Sequence, residues 1–174
     1  MPTLQVPGTA SAPALTAYLA VPPVGDGPWP GVVVVHELFG LTDDIRQQAD
    51  RLAAAGYLAI APDLYTAGGA LRCLKGTFAA LTKGSGPVVD DLQAVRRWLS
   101  GREDCTGRVG VIGFCMGGGF ALLLAAQGFD AGAPNYGPLP RDADRVLAGA
   151  CPIVASYGAQ DRGLRGTAGE LEGC

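Results

Sequence analysis

RVGVIGFCMGGGFALLLAAQG, residues 108–128, is the stretch that decides the fold. It opens as a short apolar run suited to a buried strand, and closes as an apolar helical run ended by Gly128. Between them, Gly113-Phe114-Cys115-Met116-Gly117 fits the pattern glycine, any residue, nucleophile, any residue, glycine. In such a turn from strand to helix the central side chain is pushed above the sheet, and the glycines are needed where backbones pass too close for a Cβ. Cys115 is thereby expected at a helix N-terminus, whose partial positive charge favours thiolate over thiol. The backbone N–H of Met116 would face a developing oxyanion. A small packing thiol is the other reading of Cys115, but packing leaves the paired glycines unexplained.

Working outward, GVVVV at 31–35 and YLAIA at 57–61 read as central strands of a parallel sheet covered on both faces. ALTAYLAV at 14–21 suits a half-buried edge strand, and the four prolines of PPVGDGPWP forbid regular structure before the first central strand. DDIRQQADRLAAAG predicts an amphipathic helix with Ile45, Ala49, Leu52 and Ala53 on one face, and VVDDLQAVRRWLSG a second with Val88, Leu92, Val95 and Leu99. Residues 66–86, weakly periodic and glycine-rich, read as an excursion or lid. Further strands are expected around AGAPNY and at PIVASYG, the latter followed by the turn AQD. Strands alternating with helices imply right-handed crossovers and a doubly wound α/β sheet with helices on both faces, one domain over residues 1–174.

Hydrophobic residues at 48% and charged residues at 17% describe a globular chain with a sizeable core. A net charge of -3 without basic runs gives no footprint for nucleic acid or an anionic membrane, so a small-molecule partner is expected. The N-terminus lacks a signal-peptide pattern and no segment approaches the ~20 apolar residues of a membrane span, which suggests a cytoplasmic protein. The five cysteines, Cys73, Cys105, Cys115, Cys151 and Cys174, show no metal-like spacing, and there is one histidine, His36.

HELFGL after the first central strand, APDLY after the next, GFCMGG at the turn and YGAQD after the last strand together resemble the dienelactone hydrolases, a branch of the α/β-hydrolase fold with a cysteine nucleophile. The resemblance implies opening of a lactone or ester through an acyl-enzyme, with no cofactor or metal. It implies Cys115 as nucleophile, Leu38 and Met116 as oxyanion-binding N–H groups, Glu37 as a carboxylate that primes the thiol, and Asp161 as the acid that orients a histidine. Glu37 also reads as a solvated loop carboxylate, and Asp161 as a cap for a helix starting near Leu164. Arg72, in the excursion, is a candidate for binding a substrate carboxylate, and Tyr136 for lining the pocket. Next to Glu37 at a strand end, His36 should point the opposite way and take a structural role. Asp63 suits fixing the turn after Pro62.

The resemblance departs from the family at one point. In α/β-hydrolases the order is nucleophile, acid, histidine, and no histidine follows Asp161. That reads as a chain lacking its C-terminal part, with little turnover of its own. The alternative is a non-catalytic homologue or fragment keeping a ligand-binding or redox-active thiol. A complete chain is expected to be monomeric, and self-association is open to this one through an uncovered sheet edge.

Overall fold

The computed structural model describes residues 3–9, 14–66, 68, 70–161, 163, 164 and 166–174, without the side chains of residues 70–72 and 74. Alternation along the central strands builds the molecule. On β3 (Trp29–Val35) and β4 (Leu58–Pro62), Val33, Val35, Leu58 and Ile60 face one side of the sheet, while Val32, Val34, Ala59 and Ala61 face the other. Both sets are buried, which is why these runs carry no polar residue.

Six strands form one sheet in the order β1-β2-β4-β3-β5-β6, where β1 is Thr3–Pro7, β2 Ala14–Ala20, β5 Cys105–Phe114 and β6 Gly132–Asn135. The β4, β3, β5 and β6 strands run parallel, and β2 and β1 add antiparallel at one edge. The edge strand β1, TLQVP, had no counterpart among the expected elements. With only Val6 fully buried, it has too little periodicity to be read as a strand, and its pairing with β2 holds it.

Helix α1 (Asp43–Ala54) packs Ile45, Ala49 and Ala53 on one face of the sheet. Its first turn carries Asp43 and Asp44 and is capped by Thr42, whose Oγ1 accepts from the Ile45 N–H at 3.5 Å. Helices α2 (Ala70–Lys83), α3 (Pro87–Ser100) and α4 (Met116–Ala125) lie on the other face. There Leu92, Val95 and Leu99 of α3 and Phe120, Leu123 and Leu124 of α4 meet Val109 and Val111. Every residue of α4 is buried, so it is apolar all round.

Within residues 66–86, the expected excursion or lid, lies the 14-residue helix α2, which the weak periodicity did not show. Packing of Ala80 and Leu81 into the core overrides the weak local signal. The prolines before β3 do not prevent the strand from starting at Trp29, because a shift of register between Trp29 and Gly31 accommodates Pro30. PIVASYG is not a full strand. It meets β6 through two parallel bridges, Gly132 with Ile153 and Asn135 with Ser156. Two short helices, α5 (Ala143–Val146) and α6 (Thr167–Glu172), complete the described structure. Among the described residues no helix is long and apolar enough to cross a membrane.

Candidate active site

Parallel strands end at one side of the sheet, and in such sheets the crevice beyond those ends is the place for chemistry. Here the loops following β3, β4, β5 and β6 gather there, since Val35 is in register with Gly113 and Phe114 with Asn135. Cys115 sits at the tip, between β5 and α4.

The turn is as tight as its glycines require. A Cβ on Gly113 would strike the Gly117 carbonyl, one on Gly117 the Val35 carbonyl, and one on Gly118 would lie 2.7 Å from the Asn135 carbonyl oxygen. Gly137 is equally constrained by Gly118. Cys115 adopts φ 53° and ψ -117°, a conformation that costs about 1–3 kcal/mol for a residue with a Cβ and is held only by its surroundings. Those surroundings are backbone bonds. The Cys115 N–H donates to the Asn135 carbonyl at 3.0 Å, and the Cys115 carbonyl accepts from Gly118 at 2.9 Å and Gly119 at 3.2 Å. The thiol is exposed, so Cys115 is not a packing residue.

Two backbone N–H groups lie in different segments at these strand ends. Met116 opens α4, where a helix has no internal acceptor for its N–H, and Leu38 lies in the loop after β3. Among the described residues neither N–H donates to a protein acceptor. The Leu38 carbonyl, by contrast, accepts from the Tyr65 hydroxyl at 3.0 Å.

Glu37 is part-exposed, and among the described residues no hydrogen bond joins it to Cys115. Its neighbourhood is marked by Tyr136. Burial raises that phenol above its ordinary value, and the nearby negative charges of Glu37, Cys115 and Asp44 raise it further. Glu37 and Cys115 therefore lie within electrostatic reach of Tyr136. Tyr136 itself is held at φ 42°, its N–H donating to Ser156 at 2.7 Å and its ring 6.3 Å from that of Phe114.

His36 is fully buried. Its Nδ1–H donates to the Glu37 carbonyl at 2.6 Å, and its Nε2 accepts from the Leu64 N–H at 3.1 Å. Only the neutral Nδ1–H tautomer satisfies both bonds, and burial lowers the ring below its ordinary value. With both nitrogens occupied, the single histidine of the chain has none left for Cys115. Asp63 fixes its turn through the Tyr65 N–H, which it accepts at 2.9 Å.

Asp161 is exposed, and its Oδ1 accepts from the Gly163 N–H at 2.9 Å. It does not cap a helix. The helix that follows is α6, which begins at Thr167 and has Gly166 at its N-cap, because residues 163 and 164 turn back on the Asp161 side chain instead. Arg72 lies on α2, and its side chain is outside the described residues. Of the expected site residues, Glu37, Leu38, Cys115, Met116 and Tyr136 lie in the segments that follow β3, β5 and β6, and Asp161 lies further along the segment beside β6. Two contributors were not anticipated. Asn135 holds the turn through its carbonyl, and Tyr65 holds Leu38. The APDLY motif placed Tyr65 at a strand end, and that was the available signal.

Residues 15–171 match the model of the dienelactone hydrolase family. An Escherichia coli K12 protein provisionally named a carboxymethylenebutenolidase is 35% identical over 91% of this chain and 66% of its own. The carboxymethylenebutenolidase of Pseudomonas putida is 30% identical over 77% of this chain and 61% of its own. The chain therefore spans less than two thirds of the length of these curated relatives. The crystal structure of dienelactone hydrolase from Anabaena variabilis, 21% identical, superimposes with a TM-score of 0.74 over 98% of this chain and 78% of that one. That likeness establishes the α/β-hydrolase fold.

Proposed function

Because the chain belongs to the dienelactone hydrolase family, we propose that it is a hydrolase acting on lactones or other carboxylic esters, with Cys115 as the attacking group. The observation that carries this reading is Cys115 itself, an exposed thiol held at φ 53° at the head of α4 by backbone bonds and glycine contacts. Such strain needs a purpose other than packing.

In the proposed reaction the Cys115 thiolate attacks the ester carbonyl carbon, and the carbonyl π pair moves onto oxygen. The N–H groups of Leu38 and Met116 hold that oxyanion. Re-forming the carbonyl expels the leaving-group oxygen with its electron pair, which then takes a proton, and a thioester remains on Cys115. Attack by water breaks the carbon–sulfur bond, releasing the carboxylic acid, the thiolate and one proton, which balances the proton taken up by the leaving group. Glu37 is the carboxylate placed to influence the thiol, Asp161 the acid that would orient a histidine, and Tyr136 a wall of the substrate space.

Since His36 is fully engaged, these 174 residues contain no free imidazole to activate the water. Acylation is then faster than deacylation, because a thiolate attacks without a base, whereas water must lose a proton to a base as it attacks. Incubation with p-nitrophenyl acetate is expected to release about one equivalent of nitrophenol and leave an acetyl group on Cys115, seen by peptide mass mapping and absent in Cys115→Ala. Iodoacetamide at neutral pH should label Cys115 before Cys174, which is also exposed. Equal labelling of the two, or no acetylation at Cys115, would overturn the reading.

A further inference from the structure

The loop that carries Leu38 is held at two successive peptide groups by residues outside the crevice. A trans peptide is planar, with its C=O and N–H pointing in opposite directions. The carbonyl of the Glu37–Leu38 peptide accepts from His36 Nδ1–H at 2.6 Å and from the Gly40 N–H at 3.3 Å. Its other end, the Leu38 N–H, is thereby aimed the opposite way. The next carbonyl, that of Leu38, accepts from the Tyr65 hydroxyl at 3.0 Å.

One anchor, Tyr65, comes from the turn after β4, and the other, His36 at the end of β3, is itself held by that turn. Leu64 donates its N–H to His36 Nε2, and Asp63 accepts the Tyr65 N–H. The Tyr65 ring lies 5.0 Å from the imidazole and close to Gly40, where a Cβ would stand 3.2 Å from Tyr65 Cδ2. Two rings, two carbonyls and one turn make a clamp.

We propose that Tyr65 and His36 are positioning residues for the oxyanion hole, fixing the direction of the Leu38 N–H through the carbonyls of Glu37 and Leu38. The inference rests on the acyl-transfer reading above. It adds that the orientation of the oxyanion donor is set by the β4 turn acting together with His36 at the start of the β3 loop.

The test compares two reactions of the same thiol. Acylation by p-nitrophenyl acetate passes through an oxyanion, whereas alkylation by iodoacetamide is a direct displacement that forms none. Misdirecting one donor should therefore slow acylation alone. Loss of a whole donor costs about 10²–10³-fold, and loosening one should cost about tenfold. In Tyr65→Phe, which keeps the ring, the ratio of acylation to alkylation rates at Cys115 is expected to fall about tenfold. His36→Asn, whose amide can keep the donor to the Glu37 carbonyl, should hold the ratio closer to wild type than His36→Leu does.

A ratio unchanged in Tyr65→Phe overturns the proposal, as does an equal fall in both rates, which would mark a merely structural role. If wild type is not acylated at Cys115, the hydrolase reading itself fails and this inference with it. Acylated wild type with an indifferent Tyr65→Phe refutes only the clamp.

Discussion

Gly117→Ala is the substitution on which the reading of the turn stands or falls. An added Cβ at Gly117 would strike the Val35 carbonyl and lie 2.7 Å from the His36 carbonyl oxygen. Carbon and oxygen ordinarily approach no closer than about 3.3 Å, so α4 must retreat from the end of β3 by about 0.6 Å at least. The obstacles are backbone atoms of the central strand and cannot rotate away. Overpacking of this kind costs about 1–3 kcal/mol, and a value near the top of the range is expected here. At this chain length each kcal/mol lowers Tm by about 2–4 °C, so Gly117→Ala should melt roughly 6–12 °C below wild type. The same shift moves Cys115 relative to Leu38, and a misplacement approaching 1 Å costs about 10²-fold in rate. Gly76→Ala is the control. Gly76 lies inside α2 with nothing within 4 Å of the point where an added methyl would stand, so the same chemical change should stabilise by up to about 1 kcal/mol. Thermal melts and nitrophenol release read both variants. A Gly117→Ala protein melting within about 2 °C of wild type and acylated at the wild-type rate would refute the packing argument.

Two more outcomes follow from buried polar groups. Burial lowers His36 below its ordinary 6.5 in the folded protein, so between the folded and unfolded values only the unfolded chain binds the proton. Its contribution to stability is therefore full above pH 6.5 and is lost as pH falls below it, by at most about 1.4 kcal/mol per pH unit. Urea midpoints at pH 7.5, 6.5 and 5.5 should show this decline, and His36→Asn should flatten it; an identical decline in the variant assigns it elsewhere. Asp91, buried on α3, accepts both the backbone N–H and the hydroxyl of Thr9, at 2.7 and 2.6 Å. Asp91→Ala leaves those donors unpaired and should cost about 1–3 kcal/mol by urea unfolding, and a change below about 0.5 kcal/mol would show that the tie is dispensable.

The site was legible in the sequence wherever backbone geometry dictates residue type. Gly113, Gly117 and Gly118 are glycines because neighbouring backbone leaves no room for a Cβ, and that demand shows in any reading of residues 113–119. The central strands were legible for a similar reason, since burial on both faces permits only apolar side chains. Helix α2 and strand β1 were not. Their local patterns are weak, and each is held by contacts with other elements, α2 by α3 and α4, β1 by β2.

By itself the sequence determined the sheet's centre, the turn bearing Cys115, and the lack of any histidine after Asp161, because each is a property of local residue order. Tertiary structure decided what His36 does. Proximity to Glu37 in the chain suggested a structural role, and only the approach of the β4 turn supplies the partner of its Nε2 and brings Tyr65 onto Leu38. Such contacts join strands 28 residues apart through backbone groups, and backbone groups leave no mark on residue identity.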